Sequence, residues 1–388
     1  MKSTKAISIG TKVNTNRDGT VFGPKKLTGT LDSMRSGVIM GLLTALGITT
    51  LFIATGLLES DSVLTFIGLT IIAWVAVENG GNDVSRGIAP LVAAKEISVR
   101  GALVFGAIVT AVGGLVAMFV AVNMLKLFTT GLLNTNYSIT TPTVIAIALG
   151  AALWIAFATK FSLPVSTTHS IIGSVAIVGL LSFGVTGVLW GSLALKVVLP
   201  LLFSPLIGWG FAWILTSLIN NLKFRPQVER WSTWIFSGSI CFVRAVNDTP
   251  KIVGIAVLVA FVTLNDLALS NVWPYFLFIT VAMSVGSYVK GILVTETLAY
   301  KVSKMNSKSS LSTSISTSVL VMISSGYGLP VSTTHVATSS IVGSGMYQGT
   351  ESINWSVVKN IVLSWVCTLP GAGLFGLIGF YVIKLFLN

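Results

Sequence analysis

A polar string of six residues, Pro164-Val165-Ser166-Thr167-Thr168-His169, recurs letter for letter as Pro330-Val331-Ser332-Thr333-Thr334-His335. The two copies hold the chain's only histidines, and each sits between long apolar runs. Hydroxyls and imidazoles in such surroundings must be met by protein or by a solvated cavity, because hydrocarbon offers them no hydrogen bond. The two strings therefore limit the chain to folds that gather polar groups inside an apolar shell.

That shell is a bilayer. The chain is 53% apolar and only 9% charged, with a mean hydropathy of +0.88, where soluble domains carry about 25% charged residues. Its apolar runs reach the roughly twenty residues that a helix needs to cross hydrocarbon. The formal charge of +12 does not indicate a nucleic-acid partner. Seven of the 24 Lys and Arg lie in the first 36 residues, and most others read as short loops between apolar runs, as in a positive-inside topology. The first 36 residues have no apolar core, so a cleavable signal peptide is not expected. Cys241 and Cys367, each in an apolar run, read as ordinary thiols.

The chain also repeats at larger scale. Asn82-Asp83 and Asn247-Asp248 are 165 residues apart, Ser166 and Ser332 166 apart, and Pro205 and Pro370 165 apart. An offset kept so closely by two motifs and a proline indicates an internal duplication. The expected organisation is a basic cytoplasmic tail (1–36), an extra span (37–61), one repeat (62–219), a basic linker loop (220–231) and a second repeat (232–388). Equivalent loops differ in charge. Residues 84–100 hold Arg86, Lys95 and Arg100, against Lys251 and Asp266 in 249–271. Residues 126–141 hold Lys126, against Lys290, Lys301, Lys304 and Lys308 in 290–310. The linker holds Lys223, Arg225 and Arg230, whereas no basic residue follows Leu385. The alternation predicts inverted repeats, with the N-terminus cytoplasmic and the C-terminus extracellular. The fold expected is an all-α polytopic membrane protein of two inverted-topology repeats with broken helices and about 10–12 membrane segments. The segments around Ser-Thr-Thr-His either cross fully or form re-entrant hairpins.

Inverted halves with matching polar breaks predict one central site, reached alternately from each side, as in a transporter. Glu78-Asn79-Gly80-Gly81-Asn82-Asp83 reads as a break in the helix that frees backbone carbonyls. Asp83, Asp248, Asn82, Asn247, Thr167 and Thr333 offer the oxygen ligands that a hard cation such as sodium takes. Ser166, Thr167 and Thr168, with Ser332, Thr333 and Thr334, follow a proline and precede an apolar run, as helix N-termini do. Two such termini in one cavity, with Asn82 and Asn247, would bind an anion. Co-bound cations offset the roughly 2.3 kcal/mol per charge per 100 mV that opposes anion entry into a negative-inside cell. Accessory roles are open for His169 and His335, which serve equally well as structural hydrogen-bond donors, and for Glu78 and Arg244, which either pair with each other or leave Arg244 to compensate buried carboxylate charge. An Asn-Asp in an apolar run can also be interhelical glue, but its repetition at the matching place favours function.

At Gly81-Asn82-Asp83-Val84, Val246-Asn247-Asp248 and the two Pro-Val-Ser-Thr-Thr-His strings, the chain resembles the inorganic phosphate transporter family of sodium- or proton-coupled symporters, over roughly residues 62–385. The resemblance implies phosphate import, essential aspartates at Asp83 and Asp248, a site lined by 166–168 and 332–334, inverted repeats with re-entrant hairpins, and a homodimer in the plasma membrane. Where some relatives carry a glutamate after the first signature, this chain has Thr110 or a neighbour. The reading reached is phosphate import coupled to sodium ions, with no organic cofactor. Proton coupling and sulfate are the alternatives within the class; an anion channel and an intramembrane hydrolase lie outside it. Hydrolase motifs of the His-Glu-x-x-His or Gly-x-Ser-x-Gly kind are absent.

Overall fold

A computed structural model describes residues 37–223, 225–260, 269–327, 329 and 331–387. The basic tail 1–36, Asp266 and Pro330 lie outside the described residues. Those described are helical, with two isolated β-bridges, Leu133 to Val188 and Ser303 to Ile353. In chain order the helices are α1 (Val38–Ala54), α2 (Val63–Ala93), α3 (Val99–Val120), α4 (Val122–Thr130), α5 (Thr141–Lys160), α6 (Thr167–Phe183) and α7 (Trp190–Asn220, with a π-helical turn at Leu193–Val198). They continue as α8 (Pro226–Ala260), α9 (Leu269–Lys290), α10 (Ile292–Glu296, running into a π-helical turn at Thr297–Lys301), α11 (Ser307–Gly326), α12 (Thr333–Tyr347) and α13 (Trp355–Leu387).

Six of the described helices, α2, α3, α5, α7, α9 and α13, are long and apolar enough to cross a membrane. The chain is thus a multi-pass, all-helical membrane protein. α8 is longer still at 35 residues, but carries Arg244, Asp248 and Lys251 along its middle. Polarity is arranged inside out. Leu202 and Leu206 on α7, and Val366 and Leu374 on α13, are exposed, while the charged residues at the middles of α2 and α8 are buried. Hydrocarbon solvates the former, and only protein can satisfy the latter.

Helix contacts come in matched pairs. α2 packs on α9 as α8 packs on α3, and α4 lies on α8 as α10 lies on α2. The hairpin α5–α6 packs against α13, while the hairpin α11–α12 packs against α7. The two β-bridges likewise join the loop after α4 to the one before α7, and the loop after α10 to the one before α13. Each half therefore closes on elements of the other.

α6 and α12 are short, 17 and 15 residues, or ~26 and ~22 Å at 1.5 Å per residue, less than a bilayer core of about 30 Å. Their N-termini are buried, so each hairpin turns in the interior. Each N-cap is a serine of the repeated string. Ser166 Oγ accepts from His169 N at 3.3 Å, and Ser332 Oγ from His335 N at 3.2 Å. The backbone is broken at these strings.

It is not broken at the Asn-Asp motifs, which corrects the expected interruption at 78–83. α2 runs unbroken through 63–93 and α8 through 226–260. The glycines serve a close approach instead. A Cβ on Gly80 would strike the Met283 carbonyl of α9, and one on Gly286 would strike Val77 of α2, so the two backbones meet over small residues. Gly80→Val is expected to destabilise the folded protein by roughly 1–3 kcal/mol through overpacking, seen as a lower unfolding temperature in detergent. Gly47→Val, where an added Cβ meets nothing within 4 Å, should leave it unchanged.

Candidate functional site

Because α2 and α8 stay helical through their motifs, residues three, four and seven apart share a face. On α2 that face carries Asn79, Asn82, Asp83 and Arg86; 165 residues later α8 carries Arg244, Asn247, Asp248 and Lys251. All eight are buried. Arg86 forms an ion pair with Asp83 one turn earlier, and Lys251 pairs in the same way with Asp248 at 2.9 Å.

The same two cations reach across the halves. Arg86 donates to Thr334 Oγ1 on α12 and, at 2.7 Å, to the Val165 carbonyl; Thr334 donates to that carbonyl at 2.8 Å. Lys251 donates to Thr168 Oγ1 on α6 at 2.7 Å. Asn79 closes the centre, its amide lying 3.2 Å from Asp83 Oδ2, 3.3 Å from Asp248 Oδ2 and 2.7 Å from Thr167 Oγ1. The aspartates of both halves and the start of α6 thus meet at one amide. Thr333 holds the matching position in the first turn of α12, also buried.

Asn82 and Asn247 hold the hairpin turns. Asn82 donates to Thr159 Oγ1 at 2.9 Å and to the Leu163 carbonyl at 3.0 Å, and accepts from Val165 N at 3.1 Å. Asn247 donates to the Val331 carbonyl at 3.3 Å and accepts from Ser325 Oγ at 3.4 Å. The two histidines stack on each other, ring centroids 4.7 Å apart, and His335 lies 4.1 Å from the Trp365 ring. His335 Nδ1 faces the Leu201 carbonyl at 3.5 Å.

The Glu78–Arg244 pair does not form. Glu78 instead pairs with Lys290 of α9 and accepts from Trp74 Nε1 at 2.8 Å, while Arg244 donates to Thr110 Oγ1 at 2.6 Å and Ser287 Oγ at 3.0 Å. The reason is helical geometry: Glu78 and Asp83, five apart, leave different faces of α2, so Glu78 looks towards α1 and α9 and away from α8. Sequence reasoning also missed Arg86, Lys251 and Lys290, which it counted as loop charges. All three are fully buried. The signal was there, since Arg86 and Lys251 keep the 165-residue offset and each follows its aspartate by three. The loop asymmetry survives their removal, resting on Lys95 and Arg100, on Lys301, Lys304 and Lys308, and on the linker.

Around the two aspartates stand three cations, Arg86, Lys251 and Arg244, so the cluster carries one surplus positive charge; Glu78 and Lys290 cancel separately. Arg86 Nε has no hydrogen-bond partner, and Arg244 Nε and Nη1 have no oxygen partner. Buried donors and surplus charge of this kind are costly unless an anion answers them. Two helix N-termini beside them act in the same direction.

A buried cluster with more cations than carboxylates, built by two matched sets of helices inside an apolar shell, is what a membrane protein that handles anions would need. The chain belongs to the phosphate transporter family, whose sequence profile matches it twice, over residues 79–237 and 225–376. This is a family of transporters and not of enzymes, which disposes of the hydrolase alternative. Among relatives, a Pyrococcus abyssi protein provisionally named a phosphate permease is 26% identical, over 82% of this chain and 97% of its own. A Bacillus subtilis protein, provisionally named a low-affinity inorganic phosphate transporter, is also 26% identical, over 84% and 99%. A solved structure of a protein described as "The sodium-dependent phosphate transporter" shares the fold, with a TM-score of 0.74 and 22% identity over 84% of this chain and all of its own.

The Glu78–Lys290 pair makes a prediction of its own. Glu78→Ala leaves a buried ammonium unanswered and should cost about 3–5 kcal/mol. Replacing both partners by methionine should recover most of that in the same detergent unfolding assay, whereas Glu78→Arg with Arg244→Glu should recover none.

Proposed function

We propose that the protein is a secondary symporter that imports inorganic phosphate, by alternating access around the cluster between α2, α8, α6 and α12. The observation that carries this reading is the meeting of the two hairpin helix starts with Arg86 and Lys251, which with the buried Arg244 bring more cationic charge than the two aspartates cancel. Phosphate would be received by the spare guanidinium donors and by the hydroxyls of Ser166, Thr167, Thr168, Ser332, Thr333 and Thr334. Ser166 and Ser332 also cap their helices, so phosphate would take over part of the N-terminal field that they now satisfy.

Sodium is the coupling ion proposed. Asp83 and Asp248 bring charge, and Thr167, Thr333 and the buried, unpartnered Oδ1 of Asn79 bring neutral oxygens. Asn82 and Asn247 would contribute only by releasing the hairpin turns they hold. The structural neighbour, itself described as sodium-dependent, supports sodium. Proton coupling is the second reading, favoured by the burial of both aspartates, since a proton would neutralise a carboxylate held away from bulk solvent. Residues 62–219 and 232–388 would be inverted repeats, a reading supported by the matched helix contacts and the loop charges, with the protein a homodimer in the plasma membrane, N-terminus inside.

Labelled phosphate uptake into proteoliposomes tests the reading. Uptake should follow an imposed sodium gradient, and uptake indifferent to sodium and proton gradients alike would remove symport. Excess sulfate should not compete. Asp83→Asn and Asp248→Asn should each lower uptake roughly a hundredfold or more, equivalent to about 3 kcal/mol on the barrier to transport, with folded protein still recovered. A fully active variant would remove its carboxylate from the mechanism.

A further inference from the structure

The sodium ligands proposed above are already in use. Asp83 is held by Arg86 and Asp248 by Lys251, each cation one turn along the same unbroken helix and each fully buried. A helix carries residue i+3 only ~4.5 Å along its axis, so neither cation can drift from its aspartate without its side chain swinging. A second cation placed on either carboxylate would stand beside a like charge where burial leaves little solvent screening. Each tethered cation also fastens a hairpin of the opposite half, Arg86 through Thr334 and Lys251 through Thr168.

We propose that Arg86 and Lys251 are built-in counter-ions that a coupling sodium must displace, and that phosphate, by drawing the guanidinium and the ammonium to itself, frees Asp83 and Asp248 for sodium. Sodium and phosphate then enter as a set. Sodium alone meets an occupied carboxylate, and phosphate alone leaves two buried carboxylates unanswered. Arg86 suits the part, since its Nε has no partner and a planar guanidinium can turn from a carboxylate to a tetrahedral oxyanion while keeping paired donors. Displacement also unfastens α12 from Arg86 and α6 from Lys251, so filling the site loosens both hairpins at once. The phosphate half of this proposal rests on the function proposed above; the competition between tethered cation and sodium does not.

The test is sodium binding to the purified full-length protein, read as thermal stabilisation in detergent while sodium replaces choline at constant ionic strength. Without phosphate, Arg86→Gln and Lys251→Gln should each lower the half-saturating sodium concentration about tenfold or more relative to the wild type. Inorganic phosphate should lower that concentration in the wild type, and by much less in either variant. Without phosphate, Arg86→Lys and Lys251→Arg keep the charge and should need as much sodium as the wild type, and Asp83→Asn combined with Arg86→Gln should lose the gain. Equal or weaker sodium response in the glutamine variants, without phosphate, overturns the proposal. Each variant removes the tethered cation from one aspartate, so either variant decides it if the other fails to fold. A wild type on which phosphate has no effect would overturn the phosphate reading and the linkage to it, while the phosphate-free comparison still decides the competition.

Discussion

Charge buried away from bulk solvent is the constraint under which this molecule is built. Asp83, Asp248, Arg86, Lys251 and Arg244 lie at the middle of an apolar protein, where a lone ion would cost several kcal/mol. They persist because most of the charge is answered, the aspartates by cations one turn away and the hairpin hydroxyls by the same cations, while Arg244 has only the neutral hydroxyls of Thr110 and Ser287 and keeps the surplus charge. Everything else follows from meeting that need. The two long helices must stay continuous to keep aspartate and cation at i, i+3. The hairpins must break, because only a helix start brings free N–H groups and hydroxyls to the same depth.

Duplication supplies the second half of the solution. A single motif would present one aspartate and one cation to lipid. Two copies, packed so that each half's hairpin lies against the last helix of the other, enclose both. The copies are not identical in surroundings. α11 carries a run of buried serines and threonines, with Ser312 3.0 Å from Ser344 and 2.7 Å from Thr216, and Ser316 3.1 Å from Ser340. Its counterpart α5 is mostly alanine, isoleucine and leucine. One hairpin is therefore held by hydroxyl pairs and the other by apolar packing, and the two have different means of rearranging.

Much of the site was legible without coordinates. The repeated hexapeptides located both hairpin starts, because serine after proline before an apolar run has few uses other than capping a helix. The offset of 165 paired the two Asn-Asp motifs. What escaped notice was the state of the backbone between them. Gly80-Gly81 reads as a breaker beside polar residues, yet in contact with α9 it is a groove, and the helix passes through. With the helix assumed broken, Arg86 and Lys251 fall in loops. With it continuous, they lie on the faces of Asp83 and Asp248.

Sequence by itself determined the apolar shell, the duplication and the identity of the helix caps, because these depend on composition, spacing and bonds between near neighbours. Only the tertiary structure decided the partners: Glu78 with Lys290, Arg86 with Thr334, Lys251 with Thr168, and Asn79 between two aspartates 165 residues apart. A buried charge takes whichever opposite charge or hydroxyl the packing delivers, and packing of helices from different halves is set by small-residue contacts that no local pattern specifies.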